Sequence, residues 1–169
     1  APLNVAYHLT QLGVPAMPVS AIGDDFLGAE VRRRLLAKKI PVDLISTDTN
    51  HHTGVVIVQL NEAGDAHYEI REPAAWDFIH WREALYSAVL EASGFVYGSL
   101  VTRNEASEHT LTECLKFAQG IKLCDVNLRP PYDDRNRVLL HARKADWIKL
   151  NEDEAYKLIS VSKEDVPLA

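Results

Sequence analysis

Alternating helix and strand signals place this sequence in the α/β class, as a parallel sheet flanked by helices with a small β-hairpin projecting from it. Three observations predict this. Short apolar runs end in polar, often glycine-bearing segments, stretches of helical periodicity separate those runs, and one β-rich stretch at 53–71 breaks the alternation. With 169 residues, 47% apolar and 25% charged, the chain has the size and composition of an ordinary globular domain.

From Asn4 to Leu12 the apolar residues Val5, Leu9 and Leu12 recur at spacings of four and three, a helical stripe ended by Gly13. Ala16 to Ile22, bounded by Pro15 and Gly23, fits a buried strand. A second helix is expected from Asp25 to Lys39, with Phe26, Leu27, Val31, Leu35 and Leu36 inward, Arg32, Arg33, Arg34, Lys38 and Lys39 largely outward, and Pro41 as its stop. Val42 to Ser46 and Thr53 to Leu60 are rich in β-branched residues, and the turn Asn61-Glu62-Ala63-Gly64-Asp65 leads into His67 to Arg71, which reads as a hairpin outside the main sheet. Alternation then resumes with helices at 81–92, 104–119, 132–143 and 151–159, and strands at 94–98, 122–127 and 146–150. Such a rhythm implies parallel strands joined by right-handed crossovers.

The net charge of −6 is mild and mixed in sign, so no basic stripe is present for nucleic acid. No apolar run approaches the roughly 20 residues that cross a bilayer, and the first residues lack a charged-then-apolar leader; the expectation is a soluble, cytoplasmic protein. Cys114 and Cys124 lack metal or redox spacing and are expected to be reduced. His51 and His52 are adjacent, so their side chains diverge, and no third ligand follows at metal spacing.

Ligands of open parallel sheets bind beyond the carboxyl ends of the strands. Four segments fall there: Gly23-Asp24-Asp25, Tyr97-Gly98-Ser99, 125–129 (Asp-Val-Asn-Leu-Arg) and 149–154 (Lys-Leu-Asn-Glu-Asp-Glu). The first, third and fourth have a purely structural alternative. Asn151 and Glu154 have capping-box spacing, yet a carboxylate and an amide at a helix N-terminus also order magnesium-bound water beside phosphates. Asp125 and Asn127 either serve a turn before Pro130 and Pro131 or line a site, and Asp24 or Asp25 is best read as the cap of the following helix. Neither a Gly-x-x-x-x-Gly-Lys-Ser/Thr loop nor a Gly-x-Gly-x-x-Gly turn is present, so phosphate binding of those kinds is excluded.

Together these segments resemble the ribokinase-like, or PfkB, carbohydrate kinases, and within them the fructokinases. Asn4-x-Ala6, Gly13 and Gly23 reproduce the spacing of the family's N-terminal signature, in the fructokinase-like form Ala1-Pro2-Leu3-Asn4-Val5-Ala6. Gly23-Asp24-Asp25-Phe26-Leu27-Gly28 is similar to the next family element, Thr53-Gly54 to the start of its lid strands, and Arg71-Glu72-Pro73-Ala74-Ala75-Trp76 to the segment after the lid. Asp125-Val126-Asn127-Leu128-Arg129-Pro130 and Lys149-x-Asn151-x-x-Glu154 complete the likeness, which covers essentially the whole chain.

The resemblance implies a three-layer ribokinase-like fold, with 1–52 and 73–169 as a partial kinase core, 53–72 as an inserted lid, and the C-terminal nucleotide-binding part missing. It implies phosphoryl transfer from ATP, with Mg2+, to a sugar hydroxyl, fructose above ribose, ketodeoxygluconate or a nucleoside. It further implies that Asn4, Gly23, Gly28, Arg71, Tyr97 and Arg129 border the sugar and that Asn127, Lys149, Asn151 and Glu154 border ATP, Glu154 meeting Mg2+ through water. These groups are expected to converge at one rim of the sheet under the hairpin. The family's catalytic aspartate lies in a Gly-Ala-Gly-Asp motif that this sequence lacks, as it lacks the first strand with its sugar-holding acid, so the chain reads as truncated and inactive alone. A homodimer through the hairpin, by Val55, Ile57 or their neighbours, is also expected, with a non-catalytic regulatory protein as the alternative to an enzyme.

Overall fold

The computed structural model describes residues 2–60, 64 and 66–159. In chain order its elements are α1 (Pro2–Gln11), β1 (Ser20–Gly23), α2 (Phe26–Ala37), β2 (Ile45–Asp48), β3 (Val56–Leu60), β4 (Ala66–Ile70), α3 (Glu83–Glu91), β5 (Gly94–Gly98), α4 (Glu105–Phe117), β6 (Ile121–Asp125), α5 (Arg135–Ala142), β7 (Trp147–Lys149) and α6 (Glu152–Ile159). The expected α/β class with parallel strands and helices holds. Among the described residues two compact units are distinguished, one of Leu3–Trp81 with Asn104–Thr110, the other of Pro2, Arg82–Arg103 and 111–159.

In the first unit β1 and β2 pair in parallel, Ser20 opposite Ile45 and Gly23 opposite Asp48. Ile22, Leu35, Ile40 and Ile45 form its core, with Tyr7, Val31 and Val42 against it. Pairing decides the strand limits: β1 starts only at Ser20, where its partner begins, and leaves Met17 half exposed. The second strand lies later than expected because Val42 is in a turn, its carbonyl accepting from Ile45 N–H. On α1 it is Ala6 that is buried, while Leu12 is 77% exposed beyond the helix end, where Gly13 adopts φ 76.

The stripe on α2 is narrower than expected. Gly28 and Leu35 are buried, whereas Phe26 is 82% exposed and Leu27 and Leu36 are also exposed. Phe26 and Leu27 start the helix beyond the reach of the small core, and Leu36 follows Leu35 by one residue, about 100° around the helix. Arg32, expected outward, turns onto β2, its Nη2 donating to the Ile45 carbonyl at 3.1 Å and to Thr47 Oγ1 at 3.3 Å.

The hairpin is a separate two-stranded antiparallel sheet, with Val56 opposite Ile70 and Val58 opposite Tyr68. Of its expected turn, only Gly64 is among the described residues; 61–63 and 65 lie outside them. Beyond the hairpin a short 3-10 turn, Ala75–Asp77, was not foreseen. It is held by the buried Asp77 carboxylate, which accepts from Ala74 N–H at 2.9 Å.

The second unit is built on the parallel sheet β5-β6-β7. Tyr97, Cys124, Val126, Leu128, Val138, Ala142 and Leu158 are buried together in its core. Both cysteines are free and buried, and burial pushes each thiol up to about 11. The helix expected from Tyr132 starts at Arg135, because Tyr132 N–H closes a turn on Arg129 O and Asp134 supplies the cap through Arg137 N–H. A second unforeseen 3-10 turn, Ser99–Arg103, follows β5.

Candidate functional site

In the first unit, the carboxyl end of β1 carries a dense polar cluster. Asp25 caps α2, its Oδ1 accepting from Gly28 N–H at 2.8 Å. The same oxygen accepts from Thr53 Oγ1–H and the other from Thr53 N–H, both at 2.8 Å. Thr53 Oγ1 in turn accepts from Gly23 N–H at 2.9 Å. Donors surround this carboxylate, and the Thr53 and Gly28 amides hold it down to about 2.

Gly23 and Gly28 are required by this packing. A Cβ on Gly23 would lie 2.6 Å from Thr53 N, and one on Gly28 would lie 2.2 Å from the Gly23 carbonyl oxygen. Beside the cluster is an open, mainly apolar groove bordered by Phe26, Leu27, Val55, Arg71 and Pro73. Arg71, expected at the sugar, therefore stands on the groove beside Asp25, with Nε 3.1 Å from Glu69. Asn4 lies in the first turn of α1 and is exposed.

In the second unit, the carboxyl ends of β6 and β7 bring Asn127, Arg129, Lys149, Asn151 and Glu154 into one neighbourhood. Lys149 Nζ pairs with the buried Asp125 at 2.9 Å, and that hydrogen bond raises the lysine above its usual range. Asn127, directly after β6, takes the left-handed conformation with φ 44, which asparagine tolerates better than most residues. Glu154 is buried, its Oε1 accepting from Leu128 N–H at 2.8 Å and its Oε2 from Asn151 N–H at 2.9 Å. Asn151 Oδ1 accepts from Glu154 N–H at 2.8 Å, which completes a reciprocal capping box.

The two readings of this segment are compatible, since each Glu154 oxygen holds a single amide and retains an acceptor site. Glu152, Asp153 and Glu154 make the first turn of α6 acidic, so it favours a cation over a bare phosphate. Among the described residues no three acidic, histidine or cysteine side chains form a metal cage. The acceptor sites that Glu154 retains suit the waters of a hydrated Mg2+, an ion that keeps several of them when bound. Tyr97 is placed differently: it is buried in the core and its hydroxyl donates to the His141 carbonyl at 2.8 Å.

A profile described as pfkB family carbohydrate kinase matches residues 1–169. The chain belongs to the pfkB family. This pfkB chain is 29% identical over 176 residues to a fructokinase of Escherichia coli, covering 95% of itself and 54% of that relative. It is 29% identical over 166 residues to a sugar kinase of Pyrococcus horikoshii, covering 94% and 53%. The crystal structure of that Pyrococcus kinase, described as uncharacterized, matches with a TM-score of 0.81 at 26% identity over 93% of this chain and 54% of that one, and the kinase has also been solved in complex with ATP. A fructokinase from Xylella fastidiosa gives a TM-score of 0.82 at 23% identity, over 95% and 54%, and shares the fold. The chain spans about half the length of the curated relatives it matches.

Two features of the pfkB chain escaped the sequence. Thr53 was legible only as the start of a hairpin, and its bonds reach back to Asp25 and Gly23, 28 and 30 residues earlier. The Lys149–Asp125 pair likewise joins neighbouring parallel strands across 24 residues. Aspartate, glycine and threonine at strand ends are the available signal, and spacing alone does not join them.

Proposed function

We propose that the protein containing this chain is a cytoplasmic sugar kinase that transfers the γ-phosphate of ATP to a hydroxyl of fructose. The observation that carries this reading is the clustering of Asn127, Lys149, Asn151 and Glu154 at the carboxyl ends of β6 and β7, in a family with ATP-bound members. Lys149 offers a positive charge, its Nζ exposed enough to exchange Asp125 for a phosphate oxygen. Asn127 presents an amide from a fixed left-handed turn, and Arg129 adds a guanidinium beside it, anchored on the Leu128 carbonyl at 2.7 Å. Glu154 and Asn151 would hold Mg2+ through water; when bound, the ion neutralises charge on the phosphates. On the sugar side, Asn4 supplies donors and an acceptor for hydroxyls, and Arg71 is a further hydrogen-bond donor; Gly23 and Gly28 act by keeping the backbone close behind the groove.

A homodimer through the hairpin accompanies this reading. Its register puts Val56, Val58, Tyr68 and Ile70 on one face, with the first three about half exposed, while Ile57 pairs with Glu69 on the other. The exposure of Val56, Val58 and Tyr68 supports moving the proposed contact to that face from the expected Val55 and Ile57. Among the described residues no helix is long and apolar enough to cross a membrane.

The deciding experiment assays the full-length gene product with ATP against fructose, ribose, ketodeoxygluconate and adenosine. The expected result is the highest kcat/KM for fructose. Preference for ribose or adenosine would replace the substrate, and absence of turnover with every acceptor would favour a non-catalytic binding protein.

A further inference from the structure

The hairpin is rooted at both ends in one small region. On the return side, Ala75 N–H donates to the His52 carbonyl at 2.8 Å and Arg71 N–H to Val55 O at 3.1 Å. On the outgoing side, Gly54 lies so close to the Trp76 indole that a Cβ there would be 2.6 Å from it. Only Gly54 and Val55 separate Thr53 from the first residue of β3.

Capping α2 requires a single acceptor, which serine, threonine or asparagine supplies as well as aspartate. Asp25 does more. Both its oxygens grip Thr53, one through the amide and one through the hydroxyl, and that hydroxyl closes the circuit on Gly23 at the end of β1. One carboxylate therefore joins a strand end, a helix start and the root of the hairpin, and it borders the groove on which Arg71 stands. An amide in its place would retain the cap and the bond to the Thr53 hydroxyl, but would point an NH2 group at the Thr53 N–H, donor against donor. The cap and the latch are thus chemically separable.

We propose that Asp25 is a positioning residue that sets the angle at which the hairpin leaves the β1-β2 unit, and through it the placement of Arg71 over the groove. The consequence for turnover rests on the sugar-kinase reading; the consequence for the hairpin does not. Losing the charge-assisted bond and gaining a donor clash should open the hairpin root about tenfold to a hundredfold more often.

The test compares full-length wild type, Asp25→Asn and Thr53→Ser. In Asp25→Asn, amide hydrogen exchange should accelerate at least about tenfold across β3 and β4 while α2 stays protected, and sugar KM should rise with ATP KM unchanged. Thr53→Ser, which retains both the hydroxyl and the amide, should exchange like wild type. Equal acceleration in α2 and the hairpin would reduce Asp25 to a helix cap and overturn the proposal, as would a hairpin that exchanges at the wild-type rate. If wild type phosphorylates no sugar, the kinase reading fails on its own, and the exchange pattern still decides the latch.

Discussion

Gly28 lies 2.2 Å, from its would-be Cβ, to the Gly23 carbonyl, and this contact is with backbone that has no flexible end to move aside. Gly28→Ala should therefore cost about 1–3 kcal/mol by overpacking, measured as a lower denaturation midpoint at unchanged m-value. Glu154→Ala leaves the Leu128 and Asn151 amides without their acceptor, and a loss of about 2–4 kcal/mol is expected. Asn127→Gly should retain stability, because glycine accepts φ 44 freely, while Asn127→Ala should lose about 1 kcal/mol; a fall in kcat/KM for ATP in the glycine variant would assign the amide itself to nucleotide binding.

Acid sensitivity belongs to the same scale. Asp25 is held at about 2 against an ordinary 3.8, so its contribution is fully present above pH 4 and disappears as pH falls through 2. With a quarter of the side chain exposed, that contribution is roughly 1–2 kcal/mol. Glu30, held down by Arg33 and Arg34, titrates in the same window. The Asp25 share is therefore read as the difference in slope: stability of Asp25→Asn should fall less between pH 4 and pH 2 than that of wild type.

At the level of elements, the hairpin shows what strand periodicity yields and what it leaves open. Its first strand was legible from β-branched residues and its second from the turn before it, while the structure pairs Val56 with Ile70 and Val58 with Tyr68 and so puts these four on one face. If the proposed dimer forms through this face, placing lysine at Val58 and at Tyr68 together should leave a monomer in sedimentation with little effect on folding, since both side chains are about half exposed. A wild-type protein that sediments as a monomer would remove the interface. Helix α2 teaches the complementary lesson: a hydrophobic stripe marks which residues are able to enter a core, and the size of the core decides which do, so Leu35 entered and Phe26 remained outside.

Across the whole molecule, the parallel sheet β5-β6-β7 ends in an exposed strand. Trp147 is 62% exposed, Ile148 48% and Leu150 36%, and among the described residues β7 pairs only with β6. An apolar strand with an open edge is a template for association. Expressed alone, these 169 residues should self-associate at micromolar concentration, and lysine at Trp147 and Ile148 should reduce the scattering. Lacking a Gly-Ala-Gly-Asp segment, the same polypeptide should show no ATP-dependent sugar phosphorylation, and measurable turnover by it would overturn that expectation.

The sequence by itself determined the α/β class, the order of the helices and strands, the separate hairpin and the family, because these are written in local periodicity and in short ordered motifs. It also offered Asp24 or Asp25 as a helix cap and Asn151 with Glu154 as a capping box, since capping is local to one helical turn, and the structure selects Asp25 and forms the box. Only the tertiary structure decided that Asp25 reaches Thr53, that Lys149 meets Asp125, that Tyr97 is a core residue and that Val56 and Val58 share a face of the hairpin with Ile70 and Tyr68. Those outcomes depend on which distant backbones come within hydrogen-bonding distance, and distance in space is fixed by strand pairing and close packing, which no local pattern encodes.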